Sequence, residues 1–314
     1  MSDVNKDRTD RWLADIHELI TNRGKLRLPH LTNLQTKIGL TGAKSEKWQA
    51  AFELLIPAYV EFHKCLFSGK EKLDIERIVI AVNQYLNVLK RDEAKVFSHQ
   101  SDFTSSVLPE FFCGLFSQLV EPDQNFVPTA QGNIIIDCVF DAHQNGRVVL
   151  KKKRVDFAVL LDTEFCFNGA VIDDFKVPIL AMELKTNLDK NMLSGIESSV
   201  ESMKRTFPNC LYFVIAELAD FNTEKQNYAA TYIDEIYILR KQKRSVARKG
   251  GDIQDIDVDL IREIITRALA HFASASEAVK SIGDRVQDGI LIGKIGAIDV
   301  TRGLEATGTA DKNG

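Results

Sequence analysis

Two charged residues close an otherwise apolar run at Ile179-Leu-Ala-Met-Glu183-Leu-Lys185. In a β-strand successive side chains alternate faces, so Glu183 and Lys185 project to one side while Met182 and Leu184 project to the other. The nearly continuous apolar stretch before them predicts a central strand covered on both faces. A carboxylate and an ammonium placed there are costly unless they pair or bind something. Taken alone, the tripeptide fits an edge-of-sheet ion pair as well as a functional site. A second carboxylate, Asp156 in Arg154-Val-Asp-Phe-Ala-Val-Leu-Leu161, lies within the preceding strand-like segment. If the two strands pair, Asp156 falls beside Glu183. Two carboxylates in one pocket make a hard oxygen site suited to Mg2+, which takes one or two carboxylates, waters and a substrate phosphate. A lysine beside them would orient or help deprotonate a water and offset charge building on phosphorus. The set predicts phosphodiester hydrolysis, with Asp156, Glu183 and Lys185 catalytic.

The elements that must hold these residues are readable from periodicity. Residues 133–141 and 147–161 are β-branched and aromatic with Asn145-Gly146 between them, the strongest short signal for an antiparallel hairpin. Val177–Thr186 reads as a third strand. Met192, Leu193, Ile196, Val200 and Met203 recur at helical spacing over 190–206, and Leu211–Ala216 and Ile233–Leu239 are further strands. A helix carrying Phe111, Phe112, Leu115, Phe116 and Leu119, capped by the polar run His99–Asp102, precedes the hairpin. The order is α/β with a mixed sheet.

Upstream, Trp12, Leu13, Ile16, Leu19 and Ile20 share a helical face, as do Trp48, Phe52, Leu55, Ile56, Tyr59 and Leu66, and then Ile75, Ile78, Val79, Val82, Leu86 and Leu89. Pro57 marks a kink in the second of these, and 21–45 is a polar connection without an assigned element. The predicted organisation is a helical region over 1–95 serving DNA recognition or dimerisation, a catalytic core over 96–245, a C-terminal helix and hairpin over 246–300, and a disordered tail over 301–314.

Composition narrows the function classes. With 314 residues, 45% hydrophobic and 27% charged, the chain is an ordinary globular protein of more than one packed unit. No apolar run approaches the roughly 20 residues of a membrane span. The polar start, Met1–Arg8, lacks a secretory layout and predicts a cytoplasmic protein. Cys65, Cys113, Cys138, Cys166 and Cys210 form no CxxC pair and read as reduced packing residues. The six histidines are scattered, and Ser68-Gly69-Lys70-Glu71 lacks the glycine and hydroxyl residue of a phosphate loop. A net charge of −4 argues against coating nucleic acid by bulk charge, but not against a locally basic groove. Lys151-Lys152-Lys153-Arg154 leads into Asp156, and six of the ten residues in Arg240–Lys249 are Lys or Arg. Each run fits a solvated face; beside the carboxylates, Lys151, Lys152, Lys153, Arg154, Lys190, Arg240, Lys241, Lys243 and Arg244 are expected to meet phosphates.

Asp156, followed 27 positions later by Glu183-Leu184-Lys185 and then by an amphipathic helix, resembles the PD-(D/E)XK nuclease superfamily over roughly residues 100–240. The resemblance implies an αβββαβ restriction-endonuclease-like core. Asp156 and Glu183 would bind Mg2+ with the Leu184 carbonyl, Lys185 would assist the attacking water, and cleavage would leave 5′-phosphate and 3′-hydroxyl ends. Val155 stands where the motif has proline. An acidic residue on the preceding helix is frequent in the superfamily, which makes Glu110 a further metal residue, although a helix-start carboxylate also suits the helix dipole. Glu217 is a weaker candidate, and Asp162, Asp173 and Asp174 are alternatives to Asp156. The whole layout is similar to type II restriction endonucleases, and Glu183-Leu-Lys-Thr-Asn-Leu-Asp-Lys-Asn-Met to the BbvCI-like enzymes with two different subunits. That implies double-stranded DNA as substrate and a homodimer, or a heterodimer with a second nuclease subunit. A structure-specific repair or junction nuclease, and a non-catalytic DNA-binding protein of the same fold, are the alternative readings.

Overall fold

The computed structural model describes residues 3–21, 26–41, 45–69, 71, 73–97, 101–120, 125–141, 147–162, 166–167, 170–171, 176–221, 231–249 and 252–287. The chain divides into two compact units, Met1–Ile265 and Thr266–Gly314, the latter described only to Gln287. The expected hairpin at 288–300 and the tail therefore lie outside the described residues.

Helices α1 (Asp3–Thr21), α2 (Pro29–Thr41), α3 (Glu46–Leu66) and α4 (Ile75–Val88) form the N-terminal region. The connection left unassigned at 21–45 contains α2, and α3 is one helix through Pro57. The apolar stripes of α1 and α3 meet with Trp12 against Phe52 at 5.5 Å between ring centroids, and beyond α4 Phe97 stacks on Phe103 at 4.5 Å. Two helices replace the single one expected after His99: α5 (Ser101–Ser105) and α6 (Val107–Leu119).

The strands are β1 (Phe126–Ala130), β2 (Asn133–Asp141), β3 (Arg147–Arg154), β4 (Phe157–Leu161), the short pair β5 (Cys166–Phe167) and β6 (Ala170–Val171), β7 (Val177–Asp189), β8 (Leu211–Asp220) and β9 (Glu235–Ile238). Five of them make a mixed sheet in the order β1-β4-β7-β8-β9. Helix α7 (Lys190–Thr206) follows β7, and α8 (Arg244–Arg248) and α9 (Val258–Gln287) close the described chain. The α/β class, the mixed sheet and the helical N-terminal region are as the sequence predicts.

The hairpin is built differently from the expected one. Residues 147–161 are not a single strand: β3 pairs β2, while β4 pairs β1 and β7. The register is nonetheless continuous, because Gln131 N–H donates to the Asp156 carbonyl at 2.8 Å and Val155 N–H to the Gly132 carbonyl at 2.9 Å. One long antiparallel pair thus bends between two sheets, with Gln131 taking up the bend at φ 51°. The turn at Asn145-Gly146 lies outside the described residues. Strand β1 was not expected, since Pro128 sits at its centre; proline is tolerated because β1 is an edge strand.

Each face of the sheet is covered by a helix. Phe157 packs against Phe112 and Phe116 of α6, with centroids at 6.3 and 5.4 Å. On the opposite face Leu193, Ile196, Val200 and Met203 of α7 join Ala158, Ala181, Val214 and Ala216 in one buried cluster. Asp189 caps α7, accepting from Met192 N–H at 2.9 Å. Strand β7 runs to Asp189, beyond the expected end at Thr186, because β8 continues alongside it to Asp220.

Candidate active site

Asp156 sits at the corner where the chain leaves the β2–β3 ribbon and enters β4. Phe157 pairs with Met182 across β4 and β7, so the next position places Asp156 opposite Glu183. Its carboxylate accepts from Leu184 N–H at 2.9 Å and from Lys185 Nζ at 3.1 Å, both on Oδ2. Lys185 Nζ also lies 2.8 Å from Glu183 Oε1. The three residues singled out by spacing thus meet around one ammonium group. All three are only partly covered, with side-chain exposures of 28% for Asp156, 15% for Glu183 and 29% for Lys185. Burial alone would lower the Lys185 pKa; the carboxylates of Asp156 and Glu183 outweigh it and raise the value above that of an ordinary lysine. Lys185 is an ammonium ion here, a donor and a positive charge rather than a base.

Tyr212 on β8 is part of the site and was not foreseen. It pairs with Ala181, which puts it on the Glu183 face, and its hydroxyl lies 3.4 Å from Glu183 Oε2. Burial, with the nearby Glu183 charge, raises its pKa well above the ordinary phenol value, so it stays a neutral donor. Its role depends on the β7–β8 register, which no local pattern encodes.

The site offers two carboxylates to a metal, and among the described residues no group of three or more His, Cys, Asp and Glu side chains converges as a cage. That donor set fits Mg2+, which keeps waters and binds through one or two carboxylates. In an extended strand the N–H and C=O of a residue leave on the same side, so the Leu184 carbonyl is directed to the edge on which Asp156 lies. Two residues past Lys185 on the same strand face, Asn187 Oδ1 is buried with no hydrogen-bond partner among the described residues, an acceptor left open on this face.

Glu110 is placed elsewhere. It is fully buried on α6, where Leu31 N–H donates to Oε2 at 2.8 Å and the Tyr59 hydroxyl donates to Oε1. It caps α2 and ties the helical region to the core, and among the described residues nothing joins it to Asp156 or Glu183. Burial raises its pKa from 4.5 to about 7, against the lowering effect of those hydrogen bonds. The adjacent His30, whose ring meets Ser106 Oγ at 3.0 Å, is pushed by burial down to about 3. The two groups act on stability in opposite senses. The folded state holds the Glu110 proton more tightly, so that contribution is full below pH 4.5 and is lost as pH rises through about 7. The folded state refuses the His30 proton, so stability is lost as pH falls below 6.5. Glu110→Gln keeps an acceptor oxygen for Leu31 N–H, turns its amide NH2 to the Tyr59 oxygen, which then accepts, and removes the first dependence. Its unfolding free energy from urea melts, relative to the parent, should rise between pH 5 and pH 8 by an amount on the order of 3 kcal/mol at most. Parallel profiles for parent and variant would refute the assignment.

The basic residues divide. Lys151, Lys152 and Arg154 on β3 are exposed and Lys153 is half-buried; Lys190 at the start of α7 and Lys243 are exposed, and Arg244 is partly so. Lys241 pairs with Asp257 at 2.6 Å while still 56% exposed. Arg240 does not reach the surface: its guanidinium is enclosed, with Nε 2.8 Å and Nη2 2.7 Å from Glu217 Oε2, so the expected phosphate contact is corrected to a buried ion pair. The same pair removes Glu217 from the metal candidates. Asp162 is paired with Lys176, and Asp173 and Asp174 lie outside the described residues. Cys65, Cys113 and Cys210 are buried free thiols, and no described helix is long and apolar enough to cross a membrane.

Residues 134–280 match the Bpu10I restriction endonuclease family. Among solved structures, the chain superposes on one described as "native BbvCI A2B2 tetramer at low resolution", with a TM-score of 0.64, 24% identity, and coverage of 79% of this chain and 95% of that one. Comparison with curated protein sequences gives no match. In sequence over 134–280 and in fold over most of its length, the chain is similar to type II restriction endonucleases of the BbvCI-like kind.

Proposed function

We propose that this protein is a type II restriction endonuclease that hydrolyses phosphodiester bonds of double-stranded DNA at a specific sequence, using Mg2+ and leaving 5′-phosphate and 3′-hydroxyl ends. The observation that carries the reading is the meeting of Asp156, just before β4, with Glu183 and Lys185 in the middle of β7. A buried structural ion pair needs one carboxylate; here one ammonium faces two, an arrangement with acceptor capacity to spare. Asp156 and Glu183, with the Leu184 carbonyl, would hold Mg2+. The ion supplies Lewis acidity to the phosphate and acidifies bound water.

The chain's own groups do the rest. Leu184 N–H fixes the Asp156 carboxylate, and Tyr212 steadies Glu183 from below. Lys185 Nζ donates to the attacking water or to a phosphate oxygen and offsets the charge that grows there. Water oxygen bonds to phosphorus and gives up a proton to solvent, the P–O3′ bond breaks, and the departing 3′ oxygen takes a proton from solvent. Lys151, Lys152, Lys153, Arg154, Lys190, Lys241, Lys243 and Arg244 supply positioning contacts to the backbone. One such centre per chain cuts one strand, so cutting both calls for a second chain; the A2B2 assembly named for BbvCI supports a partner subunit here.

The test is incubation of a plasmid of known sequence with Mg2+, with Ca2+ and EDTA controls, alone and with the cognate second subunit. Discrete fragments are expected from the parent and none from Asp156→Ala. Equal cutting by Asp156→Ala would overturn the site, and nicking confined to branched or damaged DNA would favour a repair nuclease.

A further inference from the structure

The β2–β3 ribbon stands apart from the five-stranded sheet and is joined to it at the Gln131–Asp156 corner. Its inner strand is held down: Ile134 and Ile136 belong to the cluster under α7, and the Thr206 hydroxyl donates to the Ile136 carbonyl. The outer strand, β3, reads Arg147-Val-Val-Leu-Lys-Lys-Lys-Arg154, with Lys151, Lys152 and Arg154 exposed. We propose, resting on the nuclease reading above, that this ribbon enters the major groove of the DNA beside the scissile phosphate, with β3 leading.

Three features carry it. The first is the distribution of charge. Consecutive strand residues face opposite ways, so Lys151 and Lys153 lie on one face of β3 and Lys152 and Arg154 on the other. A ribbon lying flat along one phosphate backbone uses a single charged face. Charge on both faces of the outer strand suits a ribbon placed edge-on between two phosphate walls. The second is size. Edge-on, the ribbon spans the groove by its thickness through both side-chain faces, about 10 Å, which a major groove about 12 Å wide admits and a minor groove of about 6 Å excludes. The third is position. Arg154 precedes Asp156 by two residues, and at about 3.3 Å per residue Lys152 lies within roughly 13 Å of it along the chain. Base edges next to the cut would then face the ribbon, which makes it a determinant of specificity as well as of grip.

The experiment uses the full chain in Ca2+, with a mixed-sequence duplex and fluorescence anisotropy across a salt series. Parent and Lys151→Gln/Lys152→Gln are compared, after their melting temperatures are found equal. The slope of log affinity against log salt should fall by about two in the variant, near 0.9 for each phosphate that is no longer neutralised. A duplex whose cytosines carry glucosylated 5-hydroxymethyl groups, which crowd the major groove, should bind the parent more weakly, and this penalty should shrink in the variant. Netropsin, which fills the minor groove, should weaken neither. An unchanged slope in the variant, or equal parent affinity for both duplexes, overturns the ribbon while leaving the nuclease reading standing. A parent that binds no duplex at any salt overturns both.

Discussion

Lys185→Met is expected to lower the DNA cleavage rate by roughly 10³-fold, the order lost when a charged donor aimed at a reacting phosphate is removed. Affinity for DNA in Ca2+ should stay close to that of the parent, because the loss falls on the reacting state and not on the grip. The reason is the place of the ammonium, 3.1 Å from Asp156 and 2.8 Å from Glu183. Removing it has a second consequence that a general loss of fold would not produce. The two carboxylates then face each other without a cation, and either one takes up a proton or a metal ion fills the gap. Thermal melts should therefore show Ca2+ stabilising Lys185→Met more than it stabilises the parent. Cleavage within a few-fold of the parent would remove Lys185 from the reaction. A uniform drop in melting temperature with no added response to Ca2+ would make it a structural cation.

The opposition of Asp156 and Glu183 is legible in sequence because strand alternation and a single pairing suffice to bring them together. The bend that sets Asp156 at a corner is not. Its own strand passes from Lys-rich to apolar without glycine or proline, and the break is marked on the partner strand at Gln131-Gly132, where a residue with no left-handed preference takes φ 51°. Pro128 concealed β1, since a proline argues against a strand unless the strand is known to be an edge. Glu110 reads as a charge suited to its own helix, while its partners, Leu31 and Tyr59, lie on α2 and α3. Local pattern identifies the elements and their faces. Which buried charge meets which is decided by packing between residues distant in sequence.

Arg240 illustrates the same limit and gives the sharpest stability prediction. In sequence it opens a basic run; in the fold it is 1% exposed, hydrogen-bonded through Nε and ion-paired through Nη2 to Glu217, with Nη1 donating to the Gln254 carbonyl. Breaking such a pair leaves an uncompensated charge indoors, which costs about 3–5 kcal/mol. The two partners should not be equivalent. Glu217→Ala strands a guanidinium that cannot lose its proton, beside Lys90, whose own pKa is lowered by burial and by the Arg240 charge. Arg240→Met strands a carboxylate that can be protonated and that has Lys90 nearby. Urea midpoints at neutral pH should therefore fall further for Glu217→Ala than for Arg240→Met, and the cost of Arg240→Met should shrink as pH is lowered. The double replacement Glu217→Leu/Arg240→Met, which removes both charges and keeps the volume, should recover most of the loss. DNA affinity in Ca2+ should be unchanged wherever the protein is folded. An Arg240→Met protein of parental stability that binds DNA more weakly would return this side chain to the DNA surface.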